Sequence, residues 1–186
     1  MSTNGFYEEI IVAGFGGQGI ILMGKLIAQT AMAQGLEVTY MPAYGAEVRG
    51  GTSNCMVIIA DELIASPLVN KPSSLIVMNK ASLSKFGPRL KKDGLLVINS
   101  SQVKEAGDVD GLVKVVTIPA DKIASQLGNV KVANMVALGA YLQQRGVFSP
   151  EVVAENLRYV LAERYHGMLA VNTQALRLGA EYASDL

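Results

Sequence analysis

The sequence predicts a single three-layer α/β/α domain on a mostly parallel, mixed sheet, and three observations carry that expectation. Short β-branched runs alternate with helix-length segments along most of the chain. The first run, Ile10-Ile11-Val12-Ala13, leads directly into Gly14-Phe15-Gly16-Gly17-Gln18-Gly19, so a strand ends in glycines and opens a helix. The 186 residues, 50% of them hydrophobic, supply enough apolar surface for one substantial core.

Each element follows from local pattern. Residues 7–13 are short, continuous and β-branched, as a buried strand is. Residues 17–34 read as a helix closed by Gly35, and residues 36–41 as a second strand ended by Pro42. Strand, helix and strand in this span predict a βαβ unit with the two strands as a parallel pair. Residues 53–60 are strand-like and are expected to form a hairpin with 63–65 across Asp61 and Glu62. Residues 74–78, 95–99 and 114–118 are further strands, and 80–90 a short polar helix. Pro119 starts a helix. Residues 132–144 are helical and stop at Gly146. Ser149 and Pro150 open a helix over 151–164 as cap and first residue, and 172–182 form a terminal helix.

Charge is scarce. Only 17% of residues are ionisable Asp, Glu, Lys or Arg, against about 25% in ordinary globular chains. Net charge is zero, so neither nucleic acid nor an anionic membrane surface is an expected partner. The polar, acidic start is unlike a signal peptide, and no run of ~20 apolar residues offers a membrane span. A cytoplasmic location is the expectation. Within 17–34 only Lys25 is charged, and 132–144 contains no charge at all. A helix apolar around its circumference needs cover on every side, so at least one of the two is expected in a subunit interface.

The glycine turn is the first candidate site. Backbone N–H groups at a helix start can hold a phosphate or carboxylate, or a partner chain can approach closely. A dinucleotide site would also place Asp or Glu at the end of the second strand, where this chain has Thr39-Tyr40-Met41-Pro42. The segment Gly19 to Leu26 imitates a phosphate loop, but Leu26 stands where the magnesium-binding hydroxyl is needed. Pro42-Ala43-Tyr44-Gly45-Ala46-Glu47-Val48-Arg49-Gly50-Gly51 follows the second strand at the same sheet edge. Arg49 can grip an anion with Glu47 orienting it, or the two can simply pair with each other. His166, the lone histidine, has no companion ligand nearby and reads as a surface or capping residue. Cys55, the lone cysteine, reads as a small buried residue, and Asn134 as a buried hydrogen-bonding or interface residue. No catalytic residue and no metal site can be assigned.

Four motifs occur in order: Gly14-Phe15-Gly16-Gly17-Gln18-Gly19-Ile20; Pro42 through Gly51 continuing as Thr52-Ser53-Asn54; Asn134-Met135-Val136-Ala137-Leu138-Gly139; and Asn172 with Ala175 and Gly179. This pattern resembles the gamma subunit of 2-oxoacid:ferredoxin (acceptor) oxidoreductases over nearly the whole chain. The stretch from Tyr44 to Cys55 is most similar to the 2-oxoglutarate branch, with branched-chain 2-oxoacid enzymes next. The resemblance implies one Rossmann-like, gamma-type domain over residues 1–186. It implies an enzyme that converts a 2-oxoacid, coenzyme A and oxidised ferredoxin to an acyl-CoA, carbon dioxide and reduced ferredoxin. It also implies alpha and beta subunits as partners, a ferredoxin-like delta subunit as a further candidate, and ferredoxin itself indirectly. The isolated chain is a candidate for self-pairing.

Thiamine diphosphate, magnesium and iron–sulfur clusters serve that chemistry in the family. This chain has no Gly-Asp-Gly segment with following asparagines and only one cysteine, so those cofactors are expected on other chains. Gly14, Gly16, Gly17, Gln18, Gly19, Tyr44, Glu47, Arg49, Gly50 and Gly51 are the expected contacts to coenzyme A or to the thiamine-bearing subunits. The alternative is a stand-alone Rossmann-like nucleotide-binding oxidoreductase using the same turn, and a third reading is an assembly scaffold.

Overall fold

The structure is a computed structural model that describes residues 5–44, 52–106 and 113–186. Six strands form one sheet: β1 (Tyr7–Phe15), β2 (Glu37–Tyr44), β3 (Thr52–Ala60), β4 (Ser74–Val77), β5 (Leu95–Asn99) and β6 (Lys114–Ile118), in the spatial order β2-β3-β1-β4-β5-β6. The helices are α1 (Ile20–Ala33), α2 (Lys80–Phe86), α3 (Ala120–Gln126), α4 (Ala133–Arg145), α5 (Pro150–Val160) and α6 (Leu169–Ser184). The α/β class and the mixed sheet agree with the sequence expectation. β1, β4, β5 and β6 pair in parallel, and β3 is antiparallel to both of its neighbours.

The expected pairing of the first two strands is wrong in one respect. β2 runs in the same direction as β1, as the connection through α1 requires, but β3 lies between them. β3 takes β2 as its hairpin partner, and residues 63–65 form no strand. Pattern alone cannot separate these choices, because β3 is buried on both faces and carries no alternation that would select a partner. The nine residues of β3 pair along their full length with β1 and have Tyr40 and Pro42 opposite Val57 and Cys55 on the other side. Pro42 is accommodated because β2 is an edge strand, where a missing N–H leaves no ladder bond unmade. The segment after β3 instead crosses the start of β1 toward β4. Asp61 accepts from the Phe6 N–H at 3.0 Å, Ser73 bonds Glu9, and Arg89 donates to the Asn70 and Val69 carbonyls.

Two cores flank the sheet. One face carries α1 and α4 with α3, α5 and α6 around them. The other is covered by α2 and by Val69 and Val103 from flanking segments. Of the two helices read as poor in charge, α4 finds its cover within the chain and α1 does so in part. Every residue of α4 from Ala133 to Leu142 is buried, between strands β4 to β6 and helices α6, α3 and α1. α1 packs on β1 to β3 and against α5, leaving Lys25 and Met32 exposed. Lack of charge in α4 therefore does not require a subunit interface. A single chain can enclose a helix when two layers of helix lie on one sheet face.

The α4–α6 crossing is what makes the double layer compact. A Cβ on Gly139 would lie 2.0 Å from the Leu176 carbonyl oxygen, and one on Gly179 would lie 2.0 Å from the Val136 carbonyl oxygen. The two backbones touch, and no side chain can be inserted between them. The Gly139→Val variant is expected to lose about 3 kcal/mol or more, because overpacking here meets backbone and not a movable side chain. Chemical denaturation of the variant against wild type measures it.

Burial also sets the alkaline limit. The Cys55 thiol is pushed up to about 12, chiefly because burial disfavours the thiolate, with a bond to Tyr40 opposing in part. Burial likewise pushes the Tyr40 phenol to about 12. Both groups hold their protons more tightly when folded, so their contribution is complete below the ordinary thiol value of 9.0 and is lost as pH rises toward 12. Melting temperature is expected to stay level up to about pH 9 and then to fall, while Cys55 resists thiol reagents until the chain unfolds.

Candidate functional site

The parallel strands end at one edge of the sheet, and the connection from β1 turns to one face while that from β4 turns to the other. This makes a topological switch point between the carboxyl ends of β1 and β4, the place where ligands bind in open α/β sheets. The glycine turn sits there. Gly14 is in register with Ser53, which is in register with Tyr44, so the turn and the start of the 45–51 loop share this edge. Phe15 lies opposite Thr52, where the same loop rejoins the sheet. Glu47, Arg49, Gly50 and Gly51 lie outside the described residues. Tyr44 is 73% exposed.

Each residue of the turn has a distinct duty. A Cβ at Gly14 would meet the Ile20 side chain at 2.6 Å and the Gln18 amide oxygen at 2.7 Å, so this position must stay bare for the helix to fold back. Gly16 and Gly17 are exposed, and Gly17 has φ +91° with open space where a side chain would be. Gly19 is the α1 cap in the left-handed region at φ 71°, and it gives the first turn no side-chain cap; among the described residues the one side chain bonded there is Tyr40, which donates to the Ile21 carbonyl. The helix thus presents its positive end and free backbone donors at the switch point.

Gln18 works inward. Its Oε1 accepts from the Phe15 N–H at 2.7 Å and from the Asn79 amide at 3.4 Å, and its Nε2 donates to the Met78 carbonyl at 3.3 Å. It ties the turn to the end of β4 and is a positioning residue. Asn79 completes this bridge and also caps α2 by accepting from the Ser82 N–H at 2.8 Å. Asn99 does the same work at the end of β5, accepting from the Ser101 and Ala120 N–H groups. Sequence reasoning passed over both asparagines. The signal for Asn79 was its place immediately before a helix, where a side-chain acceptor is favoured.

Asn134, at the start of α4, reaches the turn from the far side. It is 3% exposed, its Nδ2 donates to the Gly19 carbonyl at 3.3 Å, and its Oδ1 has no hydrogen-bond partner among the described residues. A Cβ on Gly19 would lie 2.2 Å from that Nδ2. His166 caps α5, with Nε2 at 3.2 Å from the Arg158 carbonyl oxygen and 3.1 Å from that of Leu161, as its sequence position suggested. Cys55 is buried in β3 beside Gly24, whose Cβ would lie 2.4 Å from its sulfur. A separate cavity of about 620 Å³ between α2 and residues 102–106 shares no lining residue with the turn.

The fold that carries this site is matched by known proteins. Residues 9–182 match the model of the pyruvate ferredoxin/flavodoxin oxidoreductase family. The chain belongs to this family. It is 35% identical over 179 residues to the ketoisovalerate oxidoreductase subunit VorA of Methanothermobacter thermautotrophicus, covering 95% of this chain and 36% of that one. It therefore spans about a third of the length of that relative. The gamma subunit of the keto/oxoacid ferredoxin oxidoreductase from Geobacter sulfurreducens superposes with a TM-score of 0.80 at 28% identity, over 96% of this chain and 99% of the other. The 2-oxoglutarate:ferredoxin oxidoreductase from Magnetococcus marinus, with 2-oxoglutarate, coenzyme A and succinyl-CoA bound, superposes with a TM-score of 0.87 at 26% identity, over 97% of this chain and 31% of the other. The gamma-subunit resemblance read from the motifs is borne out.

The inserted β3 also explains why the dinucleotide alternative is not favoured. In a dinucleotide site the acidic ribose partner ends the strand next to β1. Here that neighbour is antiparallel and enters at Thr52, and β2 is one strand further away.

Gly19→Ala is expected to destabilise the chain by about 1–2 kcal/mol through its left-handed backbone, with the collision against Asn134 added. In the double variant with Asn134→Ala the added part disappears. A double-mutant cycle by denaturation is expected to show a coupling of about 1 kcal/mol or more.

Proposed function

We propose that this chain is the gamma component of a multi-subunit 2-oxoacid:ferredoxin oxidoreductase, active in the cytoplasm only with its partner subunits. Residues 1–186 act in it as one gamma-type domain. The substrate class is 2-oxoglutarate or a branched-chain 2-oxoacid, converted with coenzyme A to an acyl-CoA and carbon dioxide while ferredoxin is reduced. The carbon and electron chemistry falls to alpha and beta subunits, with a ferredoxin-like delta subunit as a further carrier. Thiamine diphosphate with magnesium and the iron–sulfur clusters would supply that chemistry there. The donor set of this chain does not fit those groups, since its one thiol is buried within β3.

The observation that carries the reading is the open, uncapped start of α1 at the switch point, with Gly16 and Gly17 exposed around it. Backbone N–H groups and the helix dipole there suit the anionic part of coenzyme A. Tyr44 stands on the same edge, and the loop bearing Glu47 and Arg49 leaves from it. In this reading Arg49 adds a guanidinium grip on the same anion and Glu47 orients it. The gamma domain brings coenzyme A to the oxoacid-derived acyl group that the partner subunits generate. It supplies binding and exclusion of water, and no bond is made by its own side chains.

Gly16→Asp places a negative charge beside the proposed anion. At an effective dielectric of about 20, a like charge roughly 10 Å away costs about 1.7 kcal/mol, so the KM for coenzyme A in the assembled complex is expected to rise at least roughly tenfold. Arg49→Ala is expected to raise the same KM or to weaken assembly. Unchanged kinetics and assembly in both variants would remove the coenzyme A reading. Micromolar binding of NAD, NADP or FAD by the purified chain would instead favour the nucleotide-dependent oxidoreductase.

A further inference from the structure

α4 is bonded to both ends of the β1 segment. At its start, Asn134 holds Gly19 just beyond the carboxyl end of β1. At its last residue, Arg145 holds Glu8 near the amino end of β1, with Nε at 2.9 Å and a terminal nitrogen at 2.6 Å from the same carboxylate oxygen. Eleven helical steps separate the two contacts, a length of about 17 Å. The Glu8 carboxylate is 1% exposed. Its other oxygen accepts from the Ser74 hydroxyl at 2.5 Å and faces the Tyr141 hydroxyl at 3.5 Å. Burial, with the Glu8 charge beside it, holds the Tyr141 phenol well above its ordinary range, so this group stays a neutral donor.

Midway between the two contacts, Gly139 rests backbone against backbone on α6. Val136 rests likewise on Gly179, and the sheet with helices α1 and α3 encloses α4 between its ends. Packing sets the height of the helix, and the two end contacts tie it to the β1 segment with different strengths. The upper one is a single amide bond at 3.3 Å. The lower one is a charge-assisted ion pair on a buried carboxylate, reinforced by Gln144 bonding the Ala183 carbonyl. The lower contact is therefore the stronger of the two ties that register α4 along β1.

We propose that Glu8 and Arg145 are positioning residues for the glycine turn, acting through α4 to press Asn134 against Gly19 and so fix the open start of α1. The structural part of this proposal is independent of the ligand. Only its kinetic consequence rests on the coenzyme A reading given above.

Hydrogen exchange of the full chain, read by mass spectrometry, tests the structural part. In Arg145→Met, the bonded amides of Phe15 and Gln18, read in overlapping peptides across residues 14–22, are expected to exchange roughly tenfold faster, while those of β5 keep wild-type protection. Arg145→Lys, which restores a cation, is expected to recover much of the protection. Because Arg145→Met leaves a buried carboxylate without its cation, the double variant Glu8→Gln with Arg145→Met serves as the second probe. It removes that charge, its folding is checked by the unchanged protection of β5, and it is expected to show the same fast exchange at the turn. The proposal is overturned if the turn keeps its protection in the folded double variant. It is equally overturned if exchange rises uniformly along the chain, as a merely structural role would give.

In the assembled oxidoreductase the same double variant is expected to raise the KM for coenzyme A several-fold with kcat little changed. A faster-exchanging turn with an unaltered KM would leave the positioning role standing and reject the turn as the coenzyme A site.

Discussion

The contact on which the molecule most depends is the bare crossing of α4 and α6. Two carbonyl oxygens, of Val136 and Leu176, occupy the places where Gly179 and Gly139 would carry side chains. Because the backbones meet, α6 can lie directly over α4 and close the apolar surface that α4 shows to its outer side. That closure lets the uncharged stretch of α4 from Ala133 to Leu142 sit inside one chain. It also fixes the height of α4 above the sheet, and with it the distance from which Asn134 meets Gly19. The packing of two helices and the shape of the candidate site are one geometric problem.

Much of this was legible in the sequence, for a physical reason. Strands β1, β3, β4 and β5 are short apolar runs buried on both faces, and their helices stop at residues that enforce a stop. Gly35 at φ 76° and Gly146 at φ 68° close α1 and α4 as read, and Ser149 with Pro150 opens α5. Strand order was less accessible. Whether β3 pairs with β2 or with residues 63–65, and whether it enters beside β1, is decided by contacts between segments far apart in sequence. The same limit applies to the uncharged helices. Their need for cover follows from composition, but whether the cover is the chain itself or another subunit depends on how α6 folds back.

The candidate site was legible in its glycines and less so in its asparagines. Gly14, Gly17 and Gly19 each meet a demand that only glycine satisfies, so their spacing announces a turn. Gln18 was grouped with them, yet its amide is spent on Phe15, Met78 and Asn79. Asn79 and Asn99 terminate neighbouring strands with the same device, an amide that braces the following segment against the sheet. Such braces leave no periodic trace, and a buried Asn has meaning only once its neighbours are known. The inserted β3 is the feature that separates this edge from a dinucleotide site, where an acidic residue ends the parallel strand beside β1.

The buried pair of Glu8 and Arg145 spans 137 positions of the chain. During synthesis the carboxylate is made first and waits through that whole interval for its cation. β1 likewise waits for β3 and β4, both made after it, before either of its edges is filled. Closing such distant contacts is entropically slow, and the first strand cannot settle until the fourth helix exists. A nascent fragment that already carries the glycine-rich segment therefore lacks the scaffold that shapes it.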